Sequence, residues 1–324
     1  MRSARSLVKG NRLLRAGLFL GQNVYHASPL ATAIPRATAD PSPQDRYFLS
    51  AMVRVKDEAR FLPEWLAYHV VLGIEHCVVY DNNSGDDIET VMRPFVDRGL
   101  ATCVPWPTVP ASPGAHHDFL RRFGPASTWV AFLDADEFIV EREPGALAAV
   151  LRRHDRRSAV AISSRYLGSS GHETIPQGLV TERFDHANVA HSEHVKVIAR
   201  PAAIRAYRNA HNFYYRGARL ARTPDGRRVF GSFVRPSASP ELVVHHYVYR
   251  SREDYERKAR HGFVDAAGAK ADVRRLSRSD SEFPRHNDVR VTVPRDATRA
   301  AADLLDELGY PSELHAPAPA SADV

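Results

Sequence analysis

The chain of 324 residues, 44% hydrophobic and 25% charged, has an ordinary globular composition, with room for one sizeable α/β domain with extensions or two small domains. A formal net charge of +6 favours anionic partners, whether nucleotide phosphates, anionic lipid or nucleic acid, without choosing among them. Its only cysteines, Cys77 and Cys103, both sit in apolar runs, which excludes a disulfide scaffold and points to a reducing compartment.

Residues 1–39 hold Arg2, Arg5, Lys9, Arg12, Arg15 and Arg36 and no acidic residue. The apolar run Ala16 to Leu20 is far short of the roughly 20 residues that span a bilayer. Its shortness and the arginines around it argue against a secretory leader. Two readings stand: a disordered leader, or a basic, weakly amphipathic contact with an anionic membrane surface. Residues 28–45, rich in Ala, Thr, Pro and Asp, read as a linker, so 1–45 is leader and linker together.

The fold proper begins at Tyr47. Tyr47 to Val55 predicts a strand, and Lys56-Asp57-Glu58-Ala59-Arg60 a charged loop. Phe61 to Leu72 predicts a helix: Pro63 suits its first turn, Glu64 complements the N-terminal dipole and Gly73 closes it. Trp65, Leu66, His69, Val70 and Leu72 would face the core, so His69 reads as a packed, hydrogen-bonded residue rather than a ligand. Ile74 to Tyr80 is a second strand and Asp81 to Asp87 the turn after it, completing a βαβ unit whose two loops share one sheet edge. Asp81 stands where nucleotide-binding α/β folds place a carboxylate against ribose or base, and the same residues are also good turn formers. A helix over 86–97, a strand over Ala101 to Val104, a proline-rich connection and a helix over His116 to Phe123 follow.

Trp129 to Val140, WVAFLDADEFIV, is the stretch around which the rest is arranged. An apolar strand runs into Asp134, Ala135, Asp136 and Glu137, delivering carboxylates where open α/β sheets bind ligands. Alternating Asp134 and Asp136 suit one hard divalent cation that also grips a diphosphate. The plain alternative is a solvated acidic turn. Gly145 to Arg153 then predicts a helix, Ser158 to Tyr166 a strand, and Leu167 to His172 a loop fit to cover a site. Val195 to Arg200 and Leu242 to Tyr249 read as strands. His191 and His194 have HxxH spacing but no third ligand nearby in sequence, which argues against structural zinc. Ser251 to His261 is a basic helix opened by a capping-box-like Ser251 and Asp254. The composition turns charged after about Gly268, which sets a domain over 46–268 and an extension over 269–324 whose tail from His315 reads as disordered.

Several of these stretches, in this order, resemble one family. Val55 to Ala59 with Leu62 to His69, Val79 to Ser84, Trp129 to Val140, Leu167 to Phe184, Lys196 to Pro201, and His246-Tyr247 through Lys258 are similar to the GT-A glycosyltransferases of the family 2-like and family 92 group. The resemblance implies an α/β fold of GT-A, Rossmann-like type, with a mixed, mostly parallel sheet flanked by helices. It further implies an inverting hexosyltransferase that uses a nucleotide-diphosphate sugar, UDP-sugar foremost, and Mn2+ or Mg2+. Carried over, Lys56, Asp57 and Glu58 fall in the first nucleotide loop and Asp81 at the ribose or base. Lys196 falls at the diphosphate, and Asp134, Asp136 and His246 at the metal. Inversion requires a base for the acceptor hydroxyl. Glu182 is favoured, His172 is next, and Glu173 and Asp185 are further candidates.

The expected setting is polysaccharide assembly on a glycan or lipid-linked acceptor, in the cytoplasm or at the inner face of the membrane. One rival is an inert binding protein on the same fold. A second is a nucleotidyltransferase, which would need a glycine-rich phosphate loop that Lys56 to Arg60 does not provide. No nucleic-acid partner is expected, because positive charge is dispersed and the usual aromatic-basic motifs are missing.

Overall fold

A computed structural model describes residues 46–238, 240–261, 281, 283–291, 293 and 295–314. The expectations for the leader and the tail from His315 lie outside the described residues. In chain order the elements are β1 (Tyr47–Val55), α1 (Leu62–Val71), β2 (His76–Asp81), α2 (Ile88–Asp97), β3 (Ala101–Pro105), α3 (Gly114–Arg122), β4 (Ser127–Asp134), β5 (Glu137–Glu141), α4 (Ala146–Arg153) and β6 (Ala159–Leu167). The second half holds α5 (Val180–Arg183), β7 (His186–Ala187), β8 (Val195–Ala199), β9 (Ile204–Asn209), β10 (Asn212–Tyr215), β11 (Ala221–Arg222), β12 (Arg228–Val229), β13 (Leu242–Tyr247), α6 (Arg252–His261), β14 (Val289–Arg290) and α7 (Arg295–Glu307).

The main sheet has the order β12-β11-β6-β8-β4-β1-β2-β3. The strands β3, β2, β1 and β4 are parallel neighbours, β8 is antiparallel to both β4 and β6, and β11 is parallel to β6. Only β8 and β12 therefore oppose the common direction, giving the mixed, mostly parallel sheet flanked by helices that the resemblance implies. Strand β6 serves two ladders. Ala159 to Ser163 pair with β8, while Ser164 to Leu167 pair with β13, which in turn carries β5 on its other edge.

The period-2 alternation of the central strands sorts their side chains onto two faces. Leu49, Ala51, Val53 and Val55 of β1 and Trp129, Ala131 and Leu133 of β4 pack with Leu62, Trp65 and Leu66 of α1, Phe95 of α2 and Leu305 of α7. The opposite face takes Met52, Val130 and Phe132, covered by Phe119 of α3 and Phe213 and Tyr215 of β10. Each such large apolar side chain contributes about 1.5–3 kcal/mol on burial. Arg54 and Asp134 continue the second face at the strand ends and are paired across β1 and β4.

Helix α1 does more than cover the sheet. Trp65 Nε1 donates to the Glu137 carbonyl at 2.8 Å, Tyr68 Oη to the Ile139 carbonyl at 3.1 Å, and His69 Nε2 accepts from the Ile139 amide at 3.3 Å. These bonds satisfy the edge of β5 that no strand covers. His69 Nδ1 bonds the Trp65 carbonyl at 2.8 Å, and burial lowers the imidazole to about 3. His69 is the neutral, packed core residue its spacing predicts.

Candidate active site

Asp134 closes β4 and Glu137 opens β5, so the stretch expected as one strand with carboxylates at its end is two strands broken at Ala135-Asp136. The break arises because β5 leaves the main sheet to pair with β13, placing Glu137 opposite His246. His246 also stands beside Tyr166 of β6. Lys196 lies beside Ile162 of β6 and one residue before Val197, the partner of Phe132 in β4. All of these positions are at the edge where β1, β2 and β4 end.

There the charges interlock. Lys196 Nζ, 2% exposed, reaches Asp134 Oδ2 at 2.6 Å and Glu137 Oε2 at 2.9 Å. Arg54 Nη2 approaches Asp134 Oδ1 at 3.4 Å, and its Nη1 donates to Ser112 Oγ at 2.6 Å. His246 Nε2 lies 3.4 Å from Asp136 Oδ1, and its Nδ1 lies 3.6 Å from Glu137 Oε1. From α6, Lys258 Nζ bridges Asp136 Oδ2 and Glu58 Oε1, each at 3.1 Å. Buried Arg250 joins Glu58 at 2.7 Å and Asp254 at 3.0 Å and stacks on Phe61, 3.6 Å from the ring centroid. Serine 251 caps α6, its Oγ accepting from the Asp254 amide at 3.0 Å. The capping box is only half made, because the Asp254 carboxylate turns to Arg250 and Arg257.

Titration follows from this packing. Burial works to raise the Asp134 carboxyl, but Lys196 and then Arg54 outweigh it and hold the group well below the usual carboxylate range. Asp136 is likewise held low against burial, by Lys258 and then His246. For Glu137, burial wins over Lys196 and the carboxyl is raised. For His246, burial opposes the imidazolium, yet the Asp136 charge lifts it above the ordinary histidine value.

The remaining sequence candidates divide. Glu58 belongs to the network through Lys258 and Arg250. Asp57, with φ of 56°, ties the first loop to the second: its Oδ1 accepts from the Gly85 amide at 2.6 Å and its amide donates to Ser84 Oγ at 3.0 Å. Asp81 Oδ1 accepts from the Ser84 amide at 3.1 Å, the turn role its neighbours suggest. Lys56, half-buried, makes no hydrogen bond or ion pair among the described residues.

The base candidates stand apart from the Asp134–His246 cluster. His172 Nε2 donates to the Arg183 carbonyl at 3.2 Å, Glu173 pairs with Arg252 at 2.6 Å, and Asp185 binds His186 at 2.7 Å and Arg290 at 2.6 Å. Glu182 is exposed on α5 beside buried Glu64, with no bond to the cluster. Arg54 is a site residue that sequence reasoning did not assign; Glu137 and Asp254 read there only as an acid at the strand's end and a cap, and Arg250 and Lys258 only as part of a basic stretch fit for a solvated face or a diphosphate. An arginine inside an otherwise apolar strand was the available clue for Arg54.

The donor set of two carboxylates and an imidazole has the chemistry of a hard divalent cation site. Asp136 and His246 form a donor pair at a spacing that neighbouring ligands of one ion share. Asp134, 36% exposed at its side chain, is turned to Lys196, and no three His, Cys, Asp or Glu side chains among the described residues stand close enough to hold an ion together. The fit is thus two ligands in place and a third within the same network.

By class this is an α/β protein whose interlocked charges lie at the carboxyl ends of its strands, the edge where open α/β sheets bind ligands. The profile described as Glycosyltransferase family 92 matches residues 50–256, and the chain belongs to that family. A family 92 protein of Ricinus communis is 29% identical over 268 residues, 78% of this chain and 45% of the relative. One of Oryza sativa subsp. japonica is 30% identical over 179 residues, 51% of this chain and 30% of the relative. The chain spans less than half the length of these curated relatives. Among solved structures, S. aureus TarS 1–349 in complex with UDP-GlcNAc has a TM-score of 0.39 at 14% identity, over 80% of this chain and 71% of that one. Glucosyl-3-phosphoglycerate synthase of Mycobacterium tuberculosis, with Mn2+, UDP-Glc and phosphoglyceric acid, has a TM-score of 0.31 at 14% identity, over 51% and 62%. No helix among the described residues is long and apolar enough to cross a membrane.

Proposed function

We propose that the chain is an inverting glycosyltransferase that moves a sugar, a hexose foremost, from a nucleotide-diphosphate sugar, UDP-sugar before others, to a hydroxyl of a glycan or lipid-linked acceptor. Membership of family 92 supports the reaction class. The observation that carries the site is the meeting of Asp134, Asp136 and His246 with Lys196 at the carboxyl edge of the sheet.

In this reading Lys196 and Arg54 face the diphosphate, whose charge grows as the bond to the anomeric carbon breaks. Their buried bases fix them in place, so little reorganisation is needed when charge develops. Asp57 holds the two nucleotide loops against each other, Asp81 shapes the second of them, and half-buried Lys56 adds a further cation to the phosphates. Asp136 and His246, with Asp134 as third ligand, would hold Mn2+ or Mg2+, which supplies Lewis-acid stabilisation of the leaving diphosphate. Glu182 serves as base for the acceptor hydroxyl in preference to His172, because Glu182 is exposed and its carboxylate makes no hydrogen bond or ion pair among the described residues, whereas the His172 ring is engaged with the Arg183 carbonyl.

The test is a thermal-shift and calorimetric screen against UDP, GDP and CDP, each with and without manganese. One nucleotide should raise the melting temperature by roughly 5 °C at a hundredfold excess over its dissociation constant. Manganese should enhance the shift, and Asp136→Ala should abolish the enhancement. A wild type that ignores every nucleotide would sink the proposal in favour of an inert family member.

A further inference from the structure

The opposite edge of the main sheet, where β1, β4 and β6 begin, is as cationic as the active edge is mixed. A cavity of about 520 Å³ there is lined by Arg156, Arg157, Arg219, Arg222 and Arg228, with Ser158 at its floor. A second, of about 420 Å³, shares Arg156, Arg157 and Arg219 and adds Arg200 and Arg216, with Asp155 the only acidic residue among the described residues that line either. Arg156, Arg157, Arg219 and Arg228 are exposed. Burial lowers the Arg222 guanidinium, and the fields of Arg157 and Arg228 lower it further, as expected for like charges crowded together.

We propose that this arginine-lined edge is a docking surface for an anionic phospholipid bilayer. The guanidiniums come from separate segments: the turn between α4 and β6, the residue after β8, the 216–219 turn, β11 and β12. They form a broad face rather than one closed pocket, and their planar forks match phosphate oxygens two at a time. Among the described residues no aromatic side chain lines either cavity to offer a platform on which nucleic-acid bases would stack. The chain also enters the fold here, because Tyr47 pairs with Ser127 at the start of β4, and the six basic residues of 1–39 precede that point in sequence with no acid among them. Docked this way, the enzyme turns its carboxyl edge away from the lipid. The inference does not depend on the proposed sugar transfer.

The experiment is flotation of the full chain with vesicles of phosphatidylcholine alone or with a third of phosphatidylglycerol. Binding is expected only to the anionic vesicles and should fall as salt is raised. Arg156→Gln with Arg157→Gln should weaken it roughly twenty-five-fold, at about fivefold per cation. Arg93→Gln, on the remote surface of α2, should leave it unchanged. Arg219→Gln with Arg228→Gln is a second exposed pair that gives the same reading should the first melt early. Equal flotation with neutral vesicles, or undiminished binding by both double variants, would overturn the proposal. So would saturable binding of inorganic pyrophosphate by a chain that ignores the vesicles, which would reassign the edge to a soluble phosphate ligand.

Discussion

Single buried charges decide much of what this molecule tolerates. Lys196 serves two carboxylates, and Glu137 is almost wholly enclosed. Removing the cation in Lys196→Met leaves that carboxylate only the His246 imidazole, 3.6 Å away, as counter-charge, which should cost about 3 kcal/mol in urea unfolding at neutral pH. A loss below about 1 kcal/mol would mean that solvent or His246 already carries the charge. Glu64 of α1 is the second such group. It accepts from the Val180 amide at 2.5 Å, the Thr181 amide at 3.0 Å and Thr181 Oγ1 at 2.9 Å. Burial nonetheless pushes its carboxyl up to about 7, with those bonds pulling the other way. A group raised on folding gives stability that is complete below its unfolded value and lost as pH rises through the folded one. Between pH 4.5 and about 7 the wild type should lose on the order of 2 kcal/mol that Glu64→Gln retains. Urea midpoints of both proteins on either side of that window check this, and parallel pH profiles would refute it.

At the scale of elements, the loop after β6 is held by a turn distant in sequence. Asn287 Oδ1 accepts from the Ser170 amide at 2.9 Å. Gly168 runs so close to this turn that an added Cβ would meet the Arg285 carbonyl at 2.5 Å and collide with the Asn287 side chain. Gly168→Ala should therefore displace the turn, cost about 1–3 kcal/mol and expose residues 168–172 to limited proteolysis. Wild-type resistance in the variant would show that the turn yields freely.

Much of this level was legible beforehand. The apolar stretch Tyr47 to Val55 matched β1 to its observed bounds, and Pro63 and Gly73 bracketed α1 closely. Asp87 caps α2 by accepting from the Thr90 amide at 3.0 Å, which is why that helix starts two residues later than expected. The short strands β7, β9 to β12 and β14 were not foreseen, because two to six residues carry too little period to stand out and their pairing partners are remote in sequence. Helix α7 lay in a stretch that composition marked only as charged. Its Ala301 and Leu305 nonetheless join the core beside α1.

Across the whole molecule, the acidic motif was readable and its counter-ions were not. Asp134 and Asp136 announce themselves as two acids after an apolar run. Lys196, Lys258 and Arg250 are ordinary cations until the fold brings them, from 62, 122 and 192 residues away in sequence, onto Asp134, Asp136 and Glu58 respectively. The family resemblance supplied Lys196 and His246 through position alone. The physical cause of their placement is long-range pairing, which local pattern does not encode.

That pairing has a mechanical side. β6 is hydrogen-bonded to the strand of Lys196 along its first half and to the strand of His246 along its second. Ile162 and Tyr166, the two contact points, are four residues apart, about 13 Å along an extended chain. The strand is a common axle for the two halves of the charged cluster. Neither half can fray by itself without withdrawing bonds from the other, so the site belongs to one cooperative unit and rises and falls with the stability of the domain.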